Sequence, residues 1–277
     1  MHVRNLGAGH PELTMSDDRP ELRKKRMGRR LGRWLLKRLA DFQARRSLVG
    51  NEPVLDAAAF PFVAPFEREW QVIRAELDRV LAERDRLPAF HEISPDQYRI
   101  SRGDRWKVFI LYGFGEPSPN NCARCPETTR LLQTVPGLQS AWFSILAPQY
   151  HIPRHRGVTK GVLRVHLGLR VPARRHECTM EVDNTRVAWE EGKCFVFDDF
   201  YQHEVWNNTD EERAILLFDF VRPMTLPGRL VNSFLLWGVR QSAYFKDARR
   251  NMDTWDQRFE AAVQRAENIL DEPAAPP

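Results

Sequence analysis

Three histidines and an arginine in the second half of the chain have the types and spacing to do chemistry. His166 follows His155 by 11 positions and His203 follows it by 48. Histidines carried on different strands of a two-sheet barrel can converge on one metal, because strand ends of both sheets meet at the barrel mouth. Neutral imidazole suits iron, and two His with one carboxylate and open positions form the ligand set of non-haem Fe(II) oxygenases. The sequence form of that set is H-x-D or H-x-E followed later by a second His, yet here the third position is Gly157, in "HRG". Arg213 lies ten residues after His203, beyond "WNNTDEE". If Asn207–Glu211 form a hairpin turn, Arg213 returns close to the level of His203. A guanidinium there would pair with the far carboxylate of a five-carbon dicarboxylate that chelates iron through its 2-keto acid end. The alternative is an ordinary strand-edge charge.

The stretch "HRGVTKGVLRVHLGLRV", residues 155–171, alternates Leu163, Val165, Leu167 and Leu169 with Arg164 and His166. Period-two alternation predicts a strand with one apolar and one polar side. Two large cationic or protonatable groups on that polar side fit a lined cavity, or a solvated outer face. Around these residues stand weaker candidates. Cys122-x-x-Cys125 resembles half a zinc site, but Cys178 and Cys194 supply no second C-x-x-C, and structural zinc wants four ligands. His151 has i,i+4 spacing to His155, but Pro153 between them opposes a helix, so His151 is read as a loop residue. Asp198 and Asp199 could replace the missing carboxylate or serve a turn at a strand end. Trp189 and Trp206 read as core or rim aromatics.

The elements that must position these groups are short apolar runs: "KVFILYGF", "AWFSILA", "GVLRVHLGLRV", "CTMEV", "KCFVFDD" and "RAILLFDFV". Turn-rich segments such as "EPSPNN" and "WEEGK" separate them, which predicts a β-sandwich or barrel. Before them, Pro65–Arg86 repeats Phe66, Trp70, Ile73, Leu77, Val80 and Leu81 at helical spacing. The reading divides the 277 residues into an unstructured extension at 1–22, a basic helical arm at 23–60, a barrel with a leading helix at 61–225, and a helical tail at 226–277. Translation could begin at Met1 or at Met15.

Residues 1–50 hold 13 Lys and Arg against 5 Asp and Glu, a net of +8, which leaves −3 for the remaining 227 residues of a chain at +5. Charge is thus confined to the arm, where Met27, Leu31, Trp34, Leu35 and Phe42 share one face and Arg26, Arg29, Arg30, Arg33 and Lys37 the other. Such a helix can lie on an anionic membrane surface or pack on the body. The tail "LVNSFLLWGVRQSAYFKDARR" offers a second apolar patch, including Phe245, with Arg240, Lys246, Arg249 and Arg250 beside it. Nucleic acid is not expected as a partner, since no aromatics interleave the charge. No run approaches membrane-spanning length, no secretory pattern is seen, and four cysteines do not make a disulfide scaffold. A cytoplasmic protein is expected, at most peripheral at the inner membrane face.

From about Arg105 to Pro223 the chain resembles the aspartyl/asparaginyl β-hydroxylase family of Fe(II)/2-oxoglutarate dioxygenases. The resemblance rests on "WKVFILYGFG", on "HRG" followed by "LRVHLGL", on "WEEGKCFVFDDFYQHEVWN" and on the Arg that follows. It implies a double-stranded β-helix, a jelly-roll or cupin-like fold, flanked by helices. It implies His155 and His203 as metal ligands, and Ser144, Arg164, His166 and Arg213 as contacts to 2-oxoglutarate. Fe(II), 2-oxoglutarate and O2 are then the expected cofactors, and hydroxylation of an unactivated C–H bond the expected reaction. Animal members of the family also carry glycine at the position of Gly157, with water in the vacated site, whereas the lipid A 2-hydroxylase branch carries H-x-D. Gly157 therefore favours the β-carbon of a peptide Asp or Asn as target, and it also leaves room for a halide. Hydroxylation of a membrane-lipid acyl chain, of the lipid A or ornithine-lipid type, is the alternative. A non-catalytic metal-binding β-barrel is a third reading.

Overall fold

The computed structural model describes residues 20–94 and 98–271, with side chains described except at 20–31, 33, 243–245 and 262–271. The expected extension and both candidate start codons lie largely or wholly outside those residues. So do the side chains of Arg26, Met27, Arg29, Arg30, Leu31, Arg33 and Phe245. Two units result, Met1–Leu39 and Ala40–Pro277. The first holds most of helix α1 (Pro20–Arg46), on which Trp34, Leu35 and Leu36 are exposed. The division after Leu39 differs from the expected one at 60. Strand β1 (Val54–Leu55) joins the barrel's main sheet, so residues 40–60 go with the barrel rather than with the arm.

The expected helix at 65–86 is broken. It forms as α2 (Ala64–Arg68) and α3 (Trp70–Leu81), with Glu69 between them in a non-helical conformation, and a 3-10 turn at Arg84–Arg86. A short α4 (Phe90–Ile93) leads into the first long strand.

All six predicted runs are strands. They are β2 (Trp106–Gly113), β4 (Leu138–Leu146), β6 (Val162–Arg170), β7 (Cys178–Val182), β9 (Cys194–Phe197) and β11 (Arg213–Val221). Between them lie β3 (Glu116–Pro117), β5 (Tyr150–His155), β8 (Thr185–Ala188) and β10 (His203–Asn207). Helices α5 (Pro119–Arg124) and α6 (Pro126–Leu132) occupy the Pro- and Asn-rich segment around the cysteines, and α7 (Leu226–Gln241) and α8 (Ala243–Asp271) form the tail.

The strands build two antiparallel sheets. The larger runs β1-β9-β6-β11-β4-β2-β3 and the smaller β5-β10-β7-β8. One core fills the space between them, with Trp106, Ile110, Leu146 and Leu217 from the large sheet and Ile152, Met180, Val182 and Val205 from the small one. A second core lies on the outer face of the large sheet. There Leu163, Val165, Leu167 and Phe218 meet Phe66, Ile73 and Leu77 from α2 and α3, Leu131 from α6, and Phe259 from α8. The large sheet is therefore covered on both faces, which is why β2 and β11 read as near-continuous apolar runs rather than alternating ones. This is the expected mainly-β, cupin-like jelly roll with flanking helices.

Two local readings are corrected. His151 lies on β5, not in a loop, and its ring stacks on Trp206 with centroids 5.5 Å apart. Pro153 is tolerated there because β5 is an edge strand and its pairing with β10 is bulged. The strands flanking Asn207–Glu211 do not form a hairpin. β10 pairs with β5 and β7, whereas β11 pairs with β4 and β6, so the turn crosses from one sheet to the other. Buried Asn207 organises the crossing. Its Oδ1 accepts from Thr209 Oγ1 at 2.7 Å, and its Nδ2 donates to Glu211 O at 2.9 Å and Ala147 O at 3.1 Å.

Candidate active site

The alternation along β6 now has a physical account. Its leucine and valine side faces the outer helical layer, so Arg164 and His166 point between the two sheets. The polar face lies between the sheets and is not a solvated surface. Ser144 and Trp142 on β4 and Arg213, Leu217 and Asp219 on β11 share that inner side by the same period of two.

His155 ends β5 and His203 begins β10. The two are register partners, and their rings lie 4.1 Å apart between centroids. His155 Nδ1 is 2.8 Å from Pro153 O and His203 Nδ1 is 2.9 Å from Tyr201 O. A carbonyl only accepts, so each Nδ1 carries the proton and each Nε2 keeps a free lone pair. This is the orientation that metal-ligating histidines receive from their outer partners. Burial holds both neutral, with pKa values pulled down to about 4 for His155 and about 3 for His203. Two neutral imidazoles with parallel anchoring fit a divalent transition metal. Among the described residues no cluster of three or more His, Cys, Asp and Glu side chains completes a larger ligand set.

The glycine between them and the expected carboxylate is explained by crowding. A Cβ on Gly157 would fall 2.4 Å from Asp199 Oδ1, and Gly157 N donates to Asp199 O at 2.6 Å. The Asp199 carboxylate thus stands where a side chain at 157 would begin. Burial pushes Asp199 up to about 7, against the lowering effect of Arg164. The two aspartates have separate tasks. Asp198 serves the turn, accepting from Phe200 N at 3.1 Å and pairing with Lys160 at 2.6 Å and with Arg222.

Arg164 is held by a bidentate pair with Asp219, at 2.6 and 2.9 Å, and lies 3.6 Å from Asp199. Burial works against its charge, but the two carboxylates more than offset that and raise its pKa. His166 sits deeper. Its Nδ1 accepts from Trp189 Nε1 at 3.4 Å, which puts the proton on Nε2, and burial with nearby Arg164, Arg213 and His203 keeps the ring neutral. At the far end Arg213, 2% exposed, lies over the Trp189 ring at 4.5 Å, with Cys178 beside it. Among the described residues its one hydrogen bond to a carbonyl, to Ser144 O, is long at 3.4 Å. Burial lowers it to about 10, so it stays cationic at neutral pH. Ser144 Oγ accepts from Trp106 Nε1 at 3.0 Å, which leaves its own proton to give.

Donors without acceptors mark the interior. His166 Nε2 and Arg213 Nε, with Trp142 Nε1 under Arg164, are buried and lack partners among the described residues, and a buried unpaired donor costs about 1–3 kcal/mol. An anion with several oxygens would satisfy them together with Ser144 and the Arg213 charge. A dicarboxylate such as 2-oxoglutarate therefore fits the donor set on chemical grounds.

Sequence reasoning passed over Asp219, read Trp189 only as a core or rim aromatic, and left Asp199 between a carboxylate for the site and a turn residue. Asp219 was visible as the one charge inside "LLFDFV", in the same parity as Arg213. Trp189 was not, because its place depends on Gly168, where a Cβ would lie 2.2 Å from Glu190 O and would push the 189–193 turn off β6. Cys122 and Cys125 lie away from the site as buried thiols, Cys122 donating to Leu111 O at 3.2 Å.

A jelly roll whose interior holds three imidazoles, two buried guanidinium groups and unpaired donors belongs to the cupin-like class with a polar site between its sheets. The family model for aspartyl/asparaginyl beta-hydroxylases matches residues 67–223, more than half of the chain. The protein belongs to that family of hydroxylases. An ornithine lipid ester-linked acyl 2-hydroxylase from Rhizobium tropici is 44% identical over 220 residues, covering 79% of this chain and 78% of that protein. The aspartyl/asparaginyl beta-hydroxylase of Homo sapiens is 34% identical over 170 residues, covering 60% of this chain. The chain matches only 22% of that relative's length. Among solved structures, the cupin domain of Schizosaccharomyces pombe Cnp3 aligns over 47% of this chain and 70% of its own, with 11% identity and a TM-score of 0.31.

Proposed function

We propose that the protein is an Fe(II)- and 2-oxoglutarate-dependent dioxygenase that hydroxylates a lipid acyl chain. The target would be C2 of an ester-linked chain on an amino-acid-headed lipid. The observation that carries the substrate class is a groove at the site's mouth. It has a volume of about 170 Å³, and Phe114, Val158, Val162, Leu236 and Val239 form an apolar side opposite Gln139, Ser140, Thr159, Arg240, Asp199 and Asp219. A methylene chain needs only such an apolar side. A peptide aspartate would have to lie beside two carboxylates, with Arg164 already engaged by both and Arg240, hydrogen-bonded to Gln139, as the cation left to meet it. The Asp199 carboxylate beside Gly157 offers a reason for the glycine that does not involve the substrate. The similarity to the Rhizobium tropici lipid hydroxylase supports the same choice.

In this reading His155 and His203 hold the metal through Nε2. Ser144, His166 and Arg213 hold 2-oxoglutarate by charge-assisted and neutral hydrogen bonds. Bound Fe(II) with 2-oxoglutarate supplies O2 activation, placing one oxygen atom in the substrate C–H bond while 2-oxoglutarate becomes succinate and CO2. Trp189, Trp106 and Phe197 keep water from the deep end. Asp219 fixes Arg164, and the Asp199 carboxylate stands beside the metal end, where it can accept a hydrogen bond from a ligand or hold a proton.

The test is incubation of the full chain with Fe(II), ascorbate and 2-oxoglutarate against two pools, a bacterial lipid extract and a set of Asp- and Asn-containing peptides. Mass spectrometry should find a gain of one oxygen in acyl chains and none in peptides. Oxygen gained by peptides with lipids unchanged would reverse the substrate assignment.

A further inference from the structure

Helix α7 is amphipathic the wrong way round for a water-facing helix. Its buried residues are Gly228 and Asn232, whereas Leu226, Leu230, Val231, Phe234 and Trp237 are exposed, Phe234 to 74%. At 3.6 residues per turn, Leu226, Leu230, Phe234 and Trp237 fall within an arc of about 80°, and Phe234 stacks on Trp237 with centroids 5.8 Å apart. A contiguous apolar stripe on a water-exposed helix signals an interaction surface.

The helix is anchored rather than loosely appended. Asn232 Nδ2 donates to Gly161 O at 2.9 Å, and Gln43 Nε2 donates to Asn232 Oδ1 at 3.0 Å and to Thr159 Oγ1 at 2.9 Å. A Cβ on Gly161 would fall 1.8 Å from Asn232 Oδ1. Through these bonds α7 is fixed to the loop that runs from His155 into β6. Its Leu236, Val239 and Arg240 form part of the groove that reaches Asp199 and Asp219. Next to that groove a second depression of about 280 Å³ gathers Arg240, Lys246 and Arg249 around Phe114 and Glu116. Arg229 and Arg250 are further exposed cations on these two helices.

We propose that α7 docks the enzyme on an anionic bilayer. The stripe of Leu226, Leu230, Phe234 and Trp237 enters the interface, and Arg240, Lys246 and Arg249 meet the negative surface. The groove along Leu236 and Val239 then receives an acyl chain. Charge complementarity selects this occupant: the stripe is flanked by cations, each contributing to attraction near an anionic leaflet, and an aromatic pair suits the boundary between chains and headgroups. Continuity with the groove gives docking a consequence, since one helix would carry the lipid-facing stripe on one side and the substrate wall on another. Chain delivery rests on the lipid-hydroxylase reading, whereas docking does not.

The experiment is co-sedimentation of the full chain with vesicles of equal parts phosphatidylcholine and phosphatidylglycerol, or of phosphatidylcholine alone, at low and high salt. The expected result is binding to the anionic vesicles that salt weakens. Phe234→Ser with Trp237→Ser should cut the bound fraction by about tenfold or more, with an unchanged circular dichroism spectrum, because both side chains are exposed. Trp34→Ser, on α1, should leave most of the binding. Equal binding by the Phe234/Trp237 variant overturns the proposal, and so does loss caused by Trp34→Ser alone. Self-association of the parent without vesicle binding also overturns it, since the stripe would then face a second copy. If vesicles are bound and no lipid is hydroxylated, docking stands and the substrate reading falls. If detergent-dispersed lipid is hydroxylated and vesicles are ignored, the reverse holds.

Discussion

The two ends of the interior pocket differ in what they lack. At the mouth, each histidine spends its proton on a backbone carbonyl, Arg164 is clamped by Asp219, and acceptors are left over, the two imidazole lone pairs and the Asp199 carboxylate. At the deep end the surplus is of donors, on His166 and Arg213, around a cation with no carboxylate beside it among the described residues. One end is short of a cation and the other of an anion. A single ligand that bridges them, bound to metal at one end and ion-paired at the other, would complete both.

The largest effect is expected at the mouth. With only two protein ligands, His155→Ala or His203→Ala should weaken Fe(II) binding by more than about a hundredfold, as read by equilibrium dialysis under anaerobic conditions. Retained binding in either variant would remove the distinction between the ends. Next comes the deep end. Arg213→Leu should leave metal binding close to the parent's and raise the 2-oxoglutarate requirement by about two orders of magnitude or more, because breaking a buried charge pair costs about 3–5 kcal/mol. If the requirement stays the same, Arg164 released from Asp219 is the cation to examine.

A smaller effect, on stability, tests the crowding at Gly157. Gly157→Asp places a second carboxylate against that of Asp199 and should destabilise the fold by about 2 kcal/mol or more. Gly157→Asp combined with Asp199→Gly should recover most of that in urea unfolding. Failure of the pair to recover would show that the backbone at 157, not the Asp199 side chain, excludes a substituent.

The last comparison is the pH profile of the metal-free protein. His155 and His203 titrate near 4 and 3 in the fold against 6.5 for an ordinary histidine, so the unfolded chain binds more protons between those values. Stability should then fall as pH drops from 6.5 towards 4. His155→Asn with His203→Asn should flatten that slope. Asp199 has the opposite sign. Its pKa is raised from 3.8 to about 7, so its contribution is present below 3.8 and lost as pH rises through 7. Asp199→Asn should therefore gain relative to the parent above pH 7, by about a few degrees in Tm.

Strands β4, β6 and β11 were legible because each alternates or runs apolar for five or more residues, whereas β10 with His203 lay outside the six runs, and parity put Arg164 and His166 on one face of β6 without saying whether that face was buried. The edge strand β5 was not legible, since Pro153 and a bulge hide its pattern. Helices α5 and α6 were hidden by Pro119 and Pro126, which sit at helix starts where proline is tolerated yet read as loop. The hairpin expected at Asn207–Glu211 failed for a different reason. Turn residues announce a reversal but not whether the chain returns to its own sheet, and here Asn207 bonds to the facing strand's end instead. His155, His203 and Arg213 could be named from spacing and resemblance. Asp199 at Gly157 and Trp189 under Arg213 depend on close approaches that no linear pattern encodes.

The complementarity of the two ends is tested most directly by anaerobic titration of the full chain with Fe(II) and then 2-oxoglutarate, followed by visible absorption. A 2-keto acid chelated to Fe(II) produces a charge-transfer band. The expected result is a band that saturates at one 2-oxoglutarate per chain, needs His155 and His203, and requires far more 2-oxoglutarate in Arg213→Leu. Absence of the band in the parent at saturating Fe(II) and 2-oxoglutarate would contradict the two-ended site.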